Sequence, residues 1–334
     1  MGSFQLSSAG LFSFARLCLT SGMVDVEARG DAVGGGACCD VDRFLLPDGR
    51  GLAFAQYGDP CGHPVFSFHG GLSCRVEMRF SDELCRVRGV RLVAVDRPGI
   101  GASEFQPGRR LVDWPGDVAR LADHLGLDRF AVLGWSAGGP YALACARFLG
   151  SRLTGVACMA AMAPLDAPAS LAELGLLADR ILFPLAARSV RAAALLLSLS
   201  RLAPCWALRH WMVKALVDSG DPDAIELAAL PPRELTDFYV EALAHGAYGT
   251  AWDYRLLGGD WGFALEEIRV PVFLWHGMAD GLVPISHAER LAAALPDGRF
   301  RPVAGRGHFL PRLHLDAVLS ELVEPIETAV GDTG

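Results

Sequence analysis

The residues Gly134-Trp135-Ser136-Ala137-Gly138-Gly139 stand between a short apolar run at 130–133 and a small-residue helical run at 140–149. The chain must therefore turn from a strand into a helix within a few residues. Such a corner crowds the backbone around Ser136, so its neighbours have to be small. Gly134 and Gly138 meet that need. The Ser136 hydroxyl then points off the sheet edge, above a helix N-terminus that favours developing negative charge.

The corner lies within a longer alternation. Apolar, β-rich runs are expected as strands at 41–46, 52–57, 65–68, 90–95, 130–133, 153–162, 270–275 and 299–303. Pro47-Asp48-Gly49 turns the first two into a hairpin. Helices are expected at 76–88, 113–125, 140–149 and 286–295. Strands alternating with helices predict an α/β fold: a mostly parallel, twisted sheet of about eight strands covered on both faces. The alternation stops between 165 and 253, where the composition is helical and carries Trp206, Trp211 and Met212. This insertion after the sixth strand reads either as an apolar lid over a substrate or as helices that merely pack on the core. Arg191, Arg201 and Arg209 interrupt it too often for a membrane span of about 20 residues, so no stable membrane insertion is expected. Residues 1–40 read as an appended arm. Their apolar run is broken by Arg16, unlike a secretory signal, and 30–36 reads as a flexible Gly-rich linker. The expected organisation is an arm (1–40), a core (41–164 and 254–328) and a helical cap (165–253).

Two loops hold groups that could activate Ser136. Asp280 follows the strand at 270–275, and His308, between Gly307 and Phe309, follows the strand at 299–303. A strand end, a helix and a second strand end bring both to the edge where open α/β sheets bind ligands. Serine needs a base at hydrogen-bonding distance to act as a nucleophile. His308 is the candidate base, and Asp280 would fix its tautomer and stabilise the imidazolium. The backbone N–H groups of Ala137 and Gly71 are the candidate donors to an oxyanion, with Gly70 and Trp135 expected to touch substrate. Asp166, which follows the sixth strand, is a rival acid.

Four motifs in order carry a resemblance: His69-Gly70-Gly71, the turn Asp96-Arg97-Pro98-Gly99-Ile100-Gly101-Ala102-Ser103, the corner at Ser136, and the Asp280 and His308 loops. Over residues 41–328 the chain resembles a serine α/β-hydrolase of the lid-bearing esterase/lipase-like group. The resemblance implies the chain order Ser, acid, His for the catalytic residues, a turn at 96–103 that shapes the floor of the site, and Asp280 over Asp166 as the acid, since His276-Gly277-x-x-Asp280 matches the family's acid loop. Dehalogenases and epoxide hydrolases of that fold use Asp as nucleophile, whereas this chain has Ser136. The proline-iminopeptidase relatives usually carry a bulkier elbow than Ala137-Gly138-Gly139. The expectation is a serine hydrolase acting on a carboxylic ester of a medium-sized, mostly apolar substrate. Alternatives are a thioester, lactone, amide or carbon–carbon bond, or a ligand-binding receptor on the same scaffold.

Composition narrows the partners. A formal charge of −8 gives no basic footprint for nucleic acid. No metal-ligand spacing is visible, and no cofactor is implied. Nine cysteines, an odd number without a C-x-x-C pair, read as thiols in a reducing, cytoplasmic setting; vicinal Cys38 and Cys39 add nothing specific. His276 is read as structural and His69 as shaping the oxyanion loop. No role is assigned to His63, His124, His210, His245, His287 or His314, although His210 and His245 fall in the expected cap.

Overall fold

A computed structural model describes residues 41–165 and 168–323. The arm at 1–40, with Cys38 and Cys39, the rival acid Asp166 and the last five residues of the expected core lie outside the described residues. Eight strands form one sheet: β1 (Asp42–Leu45), β2 (Gly51–Gly58), β3 (His63–Phe68), β4 (Val90–Val95), β5 (Phe130–Trp135), β6 (Leu153–Met159), β7 (Val272–Gly277) and β8 (Gly298–Val303). Their order is β1-β2-β4-β3-β5-β6-β7-β8. The β1–β2 and β2–β4 pairs are antiparallel and the rest are parallel.

The parallel strands are apolar on both faces because both faces are covered. Successive side chains alternate across the sheet. Phe66, Val93 and Val132 therefore enter one core with Trp114 and Leu121 of α2 (Trp114–His124) and Tyr141 of α3 (Gly139–Phe148). Val65, Leu92 and Ala131 enter a second core with Cys85 of α1 (Asp82–Val87) and Leu319 of the last helix, α12 (Leu310–Val323). The helix α11 (Ser286–Ala294) connects β7 to β8.

Three boundaries differ from expectation for local reasons. β6 stops at Met159, short of 162, because Ala160 adopts φ +46° and turns its amide to the Trp275 carbonyl at 2.8 Å. The helix expected at 76–88 divides into a 3₁₀ segment, Arg75–Ser81, and α1. The two parts are anchored separately: Arg75 to Asp96 at 2.6 Å, and Asp82 to the Gly58 amide of β2 at 2.8 Å. Between β6 and β7 the chain runs through α4 (Pro168–Glu173), α5 (Leu177–Arg188), α6 (Val190–Ser200), α7 (Cys205–Ser219), α8 (Ala224–Ala229), α9 (Pro232–Ala242) and α10 (Tyr248–Leu257). The helical segment thus extends past 253, since α10 runs through that position. It belongs to the same compact unit as the sheet.

The sheet's central pair rests on an aromatic contact. Phe66 of β3 and Phe130 of β5 are fully buried with ring centroids 4.8 Å apart. Phe66→Ala should cost about 3–5 kcal/mol, measured by urea unfolding. A loss below about 1 kcal/mol would show that the pair does not hold β3 on β5.

Candidate active site

β3 and β5 are neighbours in register, with Phe68 opposite Gly134. The loop after β3 and the corner after β5 therefore leave the sheet side by side. Ser136 sits at the corner with φ +53°, a conformation rarely adopted by residues other than glycine. The residues two before and two after it are glycine because nothing larger fits. A Cβ on Gly134 would overlap the Gly138 carbonyl, and one on Gly138 would overlap the Phe68 carbonyl. Gly71 comes close to Ala137: a Cβ built on it would lie 3.7 Å from that of Ala137. The two expected oxyanion donors are thus on adjacent backbone.

The loop carrying Gly71 is pinned from below. The Arg97 guanidinium donates to the His69 carbonyl and, at 3.0 Å, to the Gly70 carbonyl. In a trans peptide the carbonyl and the next N–H point in opposite directions. Fixing the Gly70 carbonyl on Arg97 therefore turns the Gly71 N–H away from Arg97. His69 Nε2 accepts the Arg97 amide at 3.3 Å, so its proton sits on Nδ1, which faces the Gly70 carbonyl at 3.0 Å. Burial, reinforced by the Arg97 charge, holds His69 well below the usual imidazole range, as a loop-shaping neutral ring requires. The Gly70 amide is bound by Glu77 at 3.1 Å. Burial pushes the Glu77 carboxyl up to about 7, against hydrogen bonds from Ser73 and Gly70 that favour its charged form.

Gly70 and Trp135 are expected from the sequence to touch substrate, but the structure gives both of them other partners. Gly70 has its amide on Glu77 and its carbonyl on Arg97, so neither polar group is free for substrate. Trp135 precedes Ser136 at a strand end, and consecutive residues there face opposite ways. Its ring packs against His308 and Phe309, with centroids 5.7 and 5.2 Å away. Its Nε1 donates to the His308 carbonyl at 3.1 Å. Trp135 buttresses the His308 loop and does not line the cavity that holds Ser136.

Asp280 and His308 are joined directly, Oδ2 to Nδ1 at 2.8 Å, and both are buried. The other Asp280 oxygen accepts the Leu282 and Val283 amides at 2.8 Å each. Burial raises the Asp280 pKa, but the His308 charge and hydrogen bonds from His276 and His308 outweigh it, leaving the carboxyl far below the usual range. For His308, burial favours the neutral ring, and the Asp280 carboxylate outweighs that, raising its pKa. With Nδ1 on Asp280, Nε2 is the nitrogen left for proton transfer. Among the described residues Ser136 makes no side-chain hydrogen bond. His276 donates to the Val283 carbonyl at 2.7 Å and lies 3.3 Å from Asp280, which steadies the acid loop.

Ser136, Gly71 and Ala137 line a partly open cavity of about 60 Å³. Its roof comes from the segment between β6 and β7. Leu174, Phe183 and Leu257 supply apolar surface, while Asp179 and Thr250 supply polar groups. Asp179 accepts a 2.7 Å hydrogen bond from Tyr254, and burial pushes its carboxyl up to about 6. The Thr250 hydroxyl is buried without a partner among the described residues. Beneath the cavity, Asp253 takes Arg97 Nε at 2.6 Å, Arg109, and the Tyr141 hydroxyl at 2.8 Å. Burial acts to raise Asp253, but the two guanidinium charges prevail and hold it at about 2. His245 and His287 are occupied elsewhere, bound to the Gly101 carbonyl at 2.9 Å and the Ala163 amide at 3.0 Å.

Sequence reasoning missed Asp221 and Asp223, in the turn after α7. Asp221 accepts the amides of His308 at 2.9 Å and Gly281 at 3.2 Å, and Asp223 accepts that of Phe309 at 2.9 Å. One carboxylate thereby holds both the base loop and the acid loop. Gly307 makes room for it, since a Cβ there would overlap the Asp221 carboxylate. The one local signal was the Asp-Pro-Asp sequence after Gly220, which names a turn and not its partners.

Comparison with known proteins bears on the family and the fold. The model of the alpha/beta hydrolase family matches residues 65–321. A 108-residue stretch, 30% of the chain, is 40% identical to a proline iminopeptidase of Xanthomonas citri, of which it covers 33%. A 64-residue stretch, 19% of the chain, is 45% identical to a pimeloyl-[acyl-carrier protein] methyl ester esterase of Aromatoleum aromaticum, of which it covers 26%. The matched stretches thus span about a third and about a quarter of these relatives. Among solved structures, an esterase from Exiguobacterium antarcticum superposes with a TM-score of 0.65 at 20% identity, over 84% of this chain and 98% of that one.

Asp221→Ala would strand three amides, those of His308, Gly281 and Asp223. It should destabilise the protein by about 1–3 kcal/mol in urea unfolding. An unchanged midpoint would show that the two loops hold themselves in place.

Proposed function

The chain belongs to the alpha/beta hydrolase family, and on that footing we propose that it is a serine hydrolase cleaving a carboxylic ester through an acyl-enzyme at Ser136. The observation that carries this reading is the buried His308–Asp280 pair, packed through His308 on the Trp135 ring of the same corner that holds Ser136 at φ +53°. In the proposed cycle His308 Nε2 takes the Ser136 proton as Oγ attacks the carbonyl carbon. The resulting oxyanion is bound by the Gly71 and Ala137 amides. Collapse breaks the ester bond, and the leaving alcohol takes the proton from imidazolium. A water deprotonated by His308 then attacks the acyl-enzyme, releasing the acid and restoring Ser136.

The cap reading of the segment 168–257 is supported by its share of the cavity wall. The apolar lining favours a medium-sized, largely apolar substrate, with Asp179 and Thr250 facing one polar group on it. The similarity to a proline iminopeptidase supports a second reading, the same residues acting on an amide. Six described cysteines are free thiols, which supports a reducing, cytoplasmic setting.

Hydrolysis of a p-nitrophenyl ester series from acetyl to palmitoyl, beside proline p-nitroanilide, tests the bond. Ser136→Ala should lower kcat by roughly 10⁶; a folded variant that retains turnover would refute the mechanism.

The pH profile tests the base. Only neutral His308 accepts the proton, and Asp280 favours the imidazolium, so the neutral form is lost at a higher pH than for a free imidazole. The acid limb of kcat/KM should therefore have its midpoint above 6.5. Asp280→Asn should move that midpoint down and cut kcat by about 10⁴. An unmoved midpoint would remove Asp280 from its role.

A further inference from the structure

The outer surface of the helical segment carries more apolar area than the fold uses. Among the described residues, nine of the seventeen exposed large apolar side chains fall between Leu177 and Val217. On α6, Ala193 and Leu197 already fill the buried stripe. Arg191, Leu195 and Leu199 recur at helical spacing on another face. Leu202, 81% exposed, stands at the break before α7, and Trp206, 69% exposed, is the second residue of that helix. α6 and α7 meet at 113°, and no single helix among the described residues is long and apolar enough to cross a membrane. The shape is an apolar knuckle on the surface.

Charge is segregated on the same stretch. Between Asp179 and Asp218 there is no carboxylate, yet there are six basic residues, in a chain whose formal charge is −8. Arg188, Arg191 and Arg201 are exposed and form no ion pair among the described residues. Unpaired cations beside exposed leucines and tryptophan match the two layers of a lipid interface, anionic headgroups over acyl chains. A second copy fits poorly, because an isologous contact would set this cationic face against itself.

We propose that this face is a peripheral docking surface for an anionic lipid bilayer. Leu195, Leu199, Leu202 and Trp206 enter the interfacial layer, and Arg188, Arg191 and Arg201 bind headgroup phosphates. The face adjoins the candidate site. α5 exposes Leu177 and Ile181 outward while Asp179 and Phe183 line the cavity. Docking therefore sets the cavity roof close to a source of apolar substrate.

The test is flotation of the full chain with extruded vesicles of phosphatidylcholine, with and without phosphatidylglycerol, at low and high salt. The protein should float with the anionic vesicles, less so at high salt. Leu195→Ser/Leu199→Ser/Leu202→Ser should lower the partition coefficient at least about tenfold. Arg191→Glu/Arg201→Glu should remove the preference for anionic lipid. Circular dichroism and thermal melting check that both variants are folded. Folded wild type that stays with the aqueous phase, or a triple variant that floats equally well, overturns the proposal. So does a concentration-dependent dimer, seen by sedimentation and abolished in the triple variant, when vesicles recover nothing. Flotation is read without turnover, so this outcome is separate from that of the serine mechanism.

Discussion

The corner at Ser136 constrains everything around it. A serine at positive φ carries a backbone cost of about 1–3 kcal/mol, and it persists only where its surroundings hold the turn. Here β5 is buried between β3 and β6, Gly138 lies against the Phe68 carbonyl, and α3 begins at the very next residue. The arrangement lifts one hydroxyl clear of the sheet while keeping its backbone immobile. Gly71 and Ala137 are close because β3 and β5 are in register, so one packing decision sets both the candidate nucleophile and the candidate oxyanion donors.

Buried charge then fastens the loops to this corner. Three buried carboxylates around the site have several donors each: Asp280 from His308 and two amides, Asp253 from two arginines and Tyr141, Asp221 from three amides. Charged partners hold Asp280 and Asp253 below the usual carboxylate range despite burial. Asp221, whose donors are amides, and Asp179, which accepts from Tyr254, are raised by burial. The contrast separates carboxylates matched by charge from those matched by neutral hydrogen-bond donors.

The helical segment works on three sides. Asp221 and Asp223 hold the His308 and Asp280 loops, Asp253 anchors Arg97 beneath Gly70, and Asp179, Phe183 and Thr250 line the cavity. Its remaining side is the apolar, cationic ridge of α6 and α7. A change in how this segment sits would be felt at the base loop, the oxyanion loop and the cavity roof together.

Strand order along the chain, the elbow glycines and the positions of Ser136, Asp280 and His308 were all legible in the sequence. Each is written in local terms: apolar runs, small residues at a tight turn, and loops just past strands. The direction of Trp135, the saturation of Gly70, the latch from Asp221 and the exposed knuckle at Leu202 were not legible. These depend on which surfaces meet after folding, and partners such as Asp221 and His308 lie 87 residues apart. Periodicity reports that a residue is apolar or polar, whereas only tertiary packing decides what, if anything, lies against it.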